Sequence, residues 1–118
     1  MHFTRCFLLA ITVFSFVRPA QAAELVMLES EGCEWCEAWD EDIGVAYAKT
    51  TEASIIPLRR VDIDDALPSD LQHLEGLVYT PTFVVMDKGK ELGRIIGYPG
   101  EDFFWQLLNE IIIKMNSN

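Results

Sequence analysis

The sequence contains few cysteines, few basic residues and no long apolar run. Its 118 residues include three cysteines and two histidines, and 9 Lys and Arg stand against 19 Asp and Glu. A net charge of −10 argues against nucleic acid as a partner. The sequence also lacks a Gly-rich phosphate-binding loop, an internal repeat and any low-complexity tract. Half of the residues are hydrophobic, so we expect one small domain with a packed core.

The longest apolar run lies near the start of the chain, at residues 6–17, and is too short to span a bilayer comfortably. Arg5 precedes this run, and the small-x-small pattern of Ala20–Ala22 follows it, as in a secretory signal peptide. We therefore expect residues 1–22 to be cleaved and residues 23–118 to form the mature domain. The alternatives are an uncleaved anchor and a buried helix of a cytosolic domain.

Cleavage would change both the cysteine count and the charge. Cys6 would be lost, which leaves Cys33 and Cys36. Arg5 and Arg18 would also be lost, which leaves 7 basic and 19 acidic side chains and a net charge of −12. Such a charge favours a partner with a basic docking surface, because opposite fields steer encounter.

The hydrophobic pattern after residue 22 predicts alternating strands and helices. The predicted strands are 23–30, 55–63, 82–86 and 91–98, the predicted helices are 33–49, 69–75 and 99–115, and 50–54 is predicted to be a loop. The order is β-α-β, then a short helix, then β-β-α. A β-α-β unit favours a parallel pair, and a hairpin adds antiparallel strands. The predicted fold is therefore α/β, a mixed four-stranded sheet with helices on both faces.

Cys33 and Cys36 are the residues with the clearest chemistry. Cysteines at i and i+3 share one helix face, so their sulfur atoms can bond to each other. Cys33 is predicted at the helix N-terminus, where free N–H groups favour the thiolate, the nucleophile of disulfide exchange. Cys36 begins an apolar stripe that continues through Trp39, Ile43 and Tyr47, so its thiol should be the less accessible of the two. The pattern predicts that Cys33 attacks and Cys36 resolves.

Other uses of the two cysteines fit the sequence less well. A structural disulfide over so short a loop would constrain the unfolded chain little. Tetrahedral zinc needs four ligands, and His73 is the one histidine outside the predicted signal peptide. We therefore expect neither a metal nor another cofactor. A two-coordinate copper(I) carrier and a non-catalytic binding module remain as alternatives.

With Thr80–Pro81 opening the hairpin, residues 23–118 resemble the thioredoxin superfamily over nearly their whole length. The resemblance implies a cis bond before Pro81 and a loop, formed by Thr80 and Pro81, that packs beside the dithiol and docks the substrate backbone. Three departures from ordinary thioredoxin stand out. The dithiol is C-E-W-C and not C-G-P-C. Gly32 replaces a tryptophan, and Met27 replaces a buried aspartate that assists proton transfer, a role that Glu29 would fill if it points inward.

Two longer stretches resemble a narrower group. They are LVMLESEGCEWCEAWDEDIG and TPTFVVMDKGKELGRIIGYPGEDFFWQLL, and they resemble the SoxS proteins, small periplasmic thioredoxin-like proteins encoded with bacterial sulfur-oxidation (Sox) systems. This resemblance implies an exported monomer that reduces disulfides of periplasmic proteins, Sox carrier proteins among them. Its electrons would come from a membrane thiol relay. A periplasmic disulfide oxidase or isomerase is the alternative within the same class.

The surroundings of the dithiol are acidic and aromatic. Glu31 and Glu34 flank Cys33, and nearby negative charge disfavours a thiolate. We therefore expect a Cys33 pKa above that of strongly oxidising relatives and a couple that leans towards a reductant. The alternative is that both carboxylates are solvated and screened. Trp35 is predicted either to dock partners or to pack on Trp39 at i+4.

Overall fold

A four-stranded mixed sheet forms the centre of the fold. The structure, a computed structural model, describes residues 12–15 and 22–117, so the predicted signal peptide lies almost wholly outside the described residues. The strands are β1 (Glu24–Glu29), β2 (Leu58–Asp62), β3 (Thr82–Asp87) and β4 (Lys90–Ile96). They lie in the order β2-β1-β3-β4, with β1 parallel to β2 and antiparallel to β3, and β3 antiparallel to β4. The predicted α/β sheet is confirmed.

The helices are shorter and more numerous than predicted. They are α1 (Glu34–Trp39), a π-helical turn (Asp40–Gly44), α2 (Val45–Tyr47), α3 (Thr51–Ile55), a 3₁₀ turn (Ser69–Leu71) and α4 (Glu101–Asn116). Among the described residues, none of these helices is long and apolar enough to cross a membrane.

The prediction of a loop at 50–54 was wrong, because α3 occupies most of it. The Thr50 hydroxyl accepts a hydrogen bond from the Ala53 N–H (3.2 Å) and caps the helix. Ile56 ends α3 directly before Pro57, which disfavours helical backbone in the residue that precedes it. A polar segment with a threonine cap therefore forms one helical turn and a half.

The π-helical turn interrupts the helix that was predicted over 33–49. Gly44 is the last residue of this turn. A Cβ at Gly44 would lie 2.7 Å from Asp40 Oδ1 and 2.9 Å from Trp39 Cζ3, distances too short for a real contact. Glycine therefore allows Trp39 and Asp40 to occupy the space beside the turn.

The α-helices pack on one face of the sheet. Side chains alternate along a strand, so Leu25 and Met27 of β1 point to the face that buries Trp39 of α1 and Phe104 of α4. Trp39 is fully buried and forms the middle of this core, with its ring centroid 5.1 Å from that of Phe83. The predicted stripe is confirmed, since its members are all buried: Cys36, Trp39, Ile43 and Tyr47.

The opposite face of the sheet has a smaller core. Val26 and Leu28 of β1 pack there with Leu71 and Leu74 from the connection between β2 and β3. The helix predicted over 69–75 is only a 3₁₀ turn in the structure. Extended Pro68 precedes the turn, and Gly76, at a φ of 68°, ends the segment that follows it.

Candidate active site

The predicted dithiol lies at the junction between β1 and α1. Gly32 has a φ of 71° and turns the chain after the strand. Cys33 is the N-cap residue of α1, with extended backbone, and Cys36 lies one turn inside the helix. The two cysteines form a disulfide with their Cα atoms 5.2 Å apart. The structure thus brings Cys33 and Cys36 together at the predicted helix terminus.

The two sulfur atoms have different environments. Cys33 is half-buried, and its Sγ accepts a hydrogen bond from the Cys36 backbone N–H at 3.1 Å. Cys36 is 5 % exposed and packs in the core with Met27 and Trp39. After reduction, the N–H at the start of α1 would stabilise a thiolate on Cys33, whereas burial disfavours one on Cys36.

The loop that contains Thr80 and Pro81 lies beside the end of β1. The Thr80–Pro81 peptide bond is cis. The Thr80 Oγ1 is 2.9 Å from the Oγ of Ser30, three residues before Cys33. The Pro81 carbonyl accepts a hydrogen bond from the Gly97 N–H at 2.8 Å, which ties the loop to the end of β4. The cis-proline loop is therefore held between β1 and β4.

Exposed apolar side chains lie close in sequence to both parts of the site. Trp35 is 63 % exposed, and Tyr79, next to Thr80, is 66 % exposed. The ring neighbours of Trp39 are Tyr47, Phe83 and Phe104; across the described part of the chain, Trp35 has no ring contact with it. This arrangement favours docking over intrahelical packing for Trp35.

The predicted acidic surroundings are exposed. Glu31 and Glu34 are both exposed on either side of Cys33, and Glu37 is exposed one turn further along α1. Their charges face solvent, where they act on a docking partner as well as on the sulfur atom.

An ion-pair cluster lies beneath α1, around Met27. Arg60 of β2 pairs with Met27 in the sheet register, and its Nη1 donates to Glu29 at 2.6 Å. Arg60 also donates to Asp40 in the π-helical turn and lies 5.8 Å from the ring centroid of Trp39. The Asp40 hydrogen bond raises the pKa of Arg60. The cluster therefore joins β1, β2 and the dithiol helix with charged side chains.

The cluster bears on the role predicted for Glu29. Glu29 lies two residues after Met27 and so on the same face of β1 as Met27, but its carboxylate is paired with Arg60. Assistance by Glu29 in proton transfer to Cys36 stays a prediction. Arg60 and Asp40 are neighbours of the site that sequence reasoning missed, because their pairing depends on the sheet register and on the π-helical turn.

The described residues form no evident metal site. Within 12–15 and 22–117, no group of three or more His, Cys, Asp or Glu side chains is arranged to hold a metal ion. His73 is exposed. The cysteine pair by itself offers two ligands.

A strand that leads into a helix-capping disulfide, beside a cis-proline loop on a mixed four-stranded sheet, defines a thiol-disulfide oxidoreductase with a thioredoxin fold. The solved structures identify the family. The reduced form of the periplasmic thioredoxin SoxS from Paracoccus pantotrophus is 42% identical over 76% of this chain and 95% of that chain, with a TM-score of 0.72. The chain therefore belongs to the thioredoxin superfamily, and within it is similar to SoxS.

Two other thioredoxins share the fold at lower identity. Fasciola hepatica thioredoxin is 22% identical over 75% of this chain and 80% of that chain, with a TM-score of 0.58. Malassezia sympodialis thioredoxin (Mala s 13) is 19% identical over 75% and 73%, with a TM-score of 0.56. Neither the protein-family models nor the curated proteins compared with the chain gave a match.

Proposed function

We propose that this protein is a periplasmic reductase of protein disulfides, with Cys33 as its nucleophile. The observation that carries the proposal is the unequal exposure of the two sulfur atoms at the start of α1. Cys33 is half-buried and accepts the Cys36 N–H, whereas Cys36 is buried in the core. An accessible, stabilised thiolate attacks first in disulfide exchange, and a buried thiol acts second.

The reaction transfers two electrons to the substrate disulfide in two steps. The Cys33 thiolate attacks one sulfur of the substrate disulfide, forms a mixed disulfide and releases the other substrate sulfur as a thiolate. Cys36 then loses its proton and attacks the Cys33 sulfur, which releases the second substrate thiolate. The substrate has gained two electrons, and the protein carries the Cys33–Cys36 disulfide. A dithiol donor returns it to the reduced state, and a membrane thiol relay is the donor we propose.

The cis-proline loop is the proposed site for the substrate backbone. Thr80 lies outside β3, and its N–H and C=O have no hydrogen-bond partner among the described residues. They are free to pair with an extended segment beside the attacked disulfide, as a strand edge does. Trp35 and Tyr79 offer exposed apolar surface to the side chains of that segment.

The similarity to SoxS and the negative charge support the location and the partners that we propose. The similar SoxS protein is a periplasmic thioredoxin, and a periplasmic location agrees with the predicted signal peptide at 1–22. We propose periplasmic disulfide-bearing proteins as substrates, with Sox sulfur-oxidation proteins among them. The acidic surface around Cys33 favours substrates with basic residues near the disulfide.

Trapping the mixed disulfide tests the assignment of the nucleophile. Cys36→Ser removes the resolving thiol, so the reduced variant should accumulate a reducible adduct with a disulfide-bearing protein such as insulin, seen by mass. Cys33→Ser is the matched control and should give at most a slow adduct, because Cys36 is buried. Equal adduct formation by both variants would contradict the proposed roles.

Equilibration with glutathione tests the direction of the reaction. A reductase should have a potential near those of thioredoxin and the glutaredoxins, about −200 to −270 mV, whereas a value near −120 mV would favour the oxidase alternative. Competition with a copper(I) chelator tests the carrier, which requires tight binding by the reduced but not by the oxidised protein.

A further inference from the structure

Ser30 and Thr80 continue the pairing of β1 with β3 beyond the end of the backbone ladder. The last ladder pair at this end is Leu28 with Thr82. In an antiparallel register the next pair on the same face is Ser30 with Thr80. Their hydroxyl oxygens are 2.9 Å apart, so one hydroxyl donates to the other. A side-chain hydrogen bond thus takes over where the backbone hydrogen bonds stop.

The other contacts of the loop fix its two ends but not Thr80 itself. The Thr82 hydroxyl donates to the Tyr79 carbonyl at 2.6 Å, which closes the turn around Thr80 and Pro81. The Pro81 carbonyl is held by Gly97 on the β4 side. In the part of the chain that the structure describes, the Ser30 hydroxyl is the sole hydrogen-bond partner of Thr80. The position of Thr80 relative to β1 therefore depends on this pair.

We propose that Ser30 is a positioning residue, which holds Thr80 at a fixed distance from the dithiol for docking of the substrate backbone. Ser30 is three residues from Cys33, with only the short turn at Gly32 between them. A shift of Thr80 relative to Ser30 would therefore also change its position relative to the attacking sulfur. The inference rests on the proposed function, since it assumes that Thr80 contacts the substrate.

The proposal predicts an effect that depends on the size of the substrate. A protein disulfide uses the free N–H and C=O of Thr80 and loses binding when Thr80 moves. A small aromatic disulfide reacts at Cys33 without a backbone to dock, so its rate depends on the thiolate alone. The loss should therefore appear mainly in KM for the protein substrate.

The test compares Ser30→Ala and Thr80→Val with the unchanged protein on two substrates, insulin and a small chromogenic disulfide. Each variant should lower kcat/KM for insulin by about threefold to tenfold, the equivalent of one hydrogen bond. For Ser30→Ala, the rate with the small disulfide should stay within about twofold, because that rate depends on the Cys33 thiolate alone. The double variant should lose no more than either single one, because both remove the same interaction. Ser30→Thr keeps a hydroxyl and should restore most of the insulin activity.

Ser54→Ala is the matched control, since its exposed hydroxyl donates only to the Thr51 carbonyl on α3. It should leave both rates unchanged. Equal losses on both substrates, additive losses in the double variant, or full insulin activity in Ser30→Ala would each overturn the proposal. Failure of the proposed function would look different, since the unchanged protein would then reduce neither substrate. Thermal unfolding of each variant identifies any loss that comes from misfolding.

Discussion

At the scale of single residues, opposing electrostatic effects meet at Cys33. The Cys36 N–H points at the sulfur of Cys33 and would stabilise a thiolate there. The carboxylates of Glu31 and Glu34 flank the same residue and oppose that stabilisation. A stable thiolate favours the reduced protein and makes it an oxidant towards others. We therefore expect the balance between this hydrogen bond and the two carboxylates to influence the direction in which the couple works.

The first prediction concerns these two carboxylates. Replacing both, as Glu31→Gln with Glu34→Gln, should lower the Cys33 pKa by roughly half a unit, because exposed charges are partly screened. Thiolate absorbance, titrated against pH in the reduced protein, measures the change. Glu110→Gln, an exposed site on α4, is the control and should leave the Cys33 pKa unchanged. A rise of the Cys33 pKa, or no change at low salt, would contradict the assigned role.

At the scale of secondary structure, the π-helical turn links the dithiol helix to the ion-pair cluster. Asp40 reaches Arg60 from this turn, and Trp39 occupies the space that Gly44 leaves open. Helix propensity favours alanine over glycine by about 1 kcal/mol, whereas overpacking a core costs about 1–3 kcal/mol. Helix propensity alone would therefore make Gly44→Ala stabilising, whereas overpacking would make it destabilising. The short distances from the added Cβ to Asp40 and Trp39 favour the second outcome.

We predict that Gly44→Ala lowers the free energy of unfolding by up to about 2 kcal/mol, the overpacking cost less the gain in propensity. Urea denaturation followed by tryptophan fluorescence measures it. Val45→Ala, at the exposed neighbouring position, should change stability by less than about 0.5 kcal/mol. An increase in stability for Gly44→Ala would show that Asp40 and Trp39 move aside without cost.

Tyr47 should make the stability of the protein depend on pH in the alkaline range. Its hydroxyl is buried and donates to the Ile56 carbonyl at 2.7 Å, which joins the end of α2 to the segment before β2. Burial, aided by the negative charge of Glu52, raises the pKa of Tyr47 above the ordinary value of about 10. Because the folded state holds this proton more tightly than the unfolded state, its contribution is complete below about pH 10 and decreases as the pH rises further.

Accordingly, Tyr47→Phe should lose stability less steeply than the unchanged protein above about pH 10. Near neutral pH the variant should be less stable by about 1 kcal/mol, since the hydrogen bond to Ile56 is gone. Denaturant midpoints measured across the alkaline range test both effects. Tyr79→Phe, at an exposed tyrosine, is the matched control and should follow the unchanged protein. Parallel pH profiles for the two variants would refute the assignment.

Local sequence patterns predicted the strands and the buried stripe of the dithiol helix, because the spacing of apolar residues can be read from a short stretch of sequence. The stripe of Cys36, Trp39 and Ile43 needed only helical spacing. The π-helical turn escaped prediction, since it depends on how Trp39 and Asp40 pack beside Gly44. The face opposite the α-helices also differs, because a loop with one 3₁₀ turn covers it.

In the candidate site, too, features set by local sequence were predicted and features set by long-range packing were not. Cys33 and Cys36 were placed by the strand, the turn and the helix that follow one another in the sequence. The cis bond before Pro81 was implied by family resemblance, and the structure has it in cis. Ser30 and Arg60 were missed, because their partners are 50 and 20 residues away and meet them only through strand register and packing. Long-range pairs of this kind leave no periodic signal in the sequence.

At the scale of the whole molecule, the positive charges outside the predicted signal peptide are few, seven in all. The three arginines in this part of the chain, Arg59, Arg60 and Arg94, all form ion pairs with carboxylates. Most of the carboxylates have no such partner, because 19 acidic side chains face 7 basic ones after residue 22. The molecule therefore has a strongly negative field, and exposed Glu31, Glu34 and Glu37 bring it to the dithiol.

The last prediction separates this local field from the total charge. Reduction of a disulfide peptide flanked by lysines should be about tenfold or more faster than that of a glutamate-flanked analogue at low salt, and the difference should shrink as salt is added. Replacing Glu31, Glu34 and Glu37 with Gln should remove most of the difference. Replacing Glu101 and Glu110 with Gln and Asp102 with Asn changes the net charge equally, but on α4. Rates are expressed relative to a neutral peptide, which cancels any change in the reactivity of Cys33. If both triple variants reduce the preference equally, total charge rather than the surface beside the dithiol selects the partner, and the proposed basic docking contact is wrong.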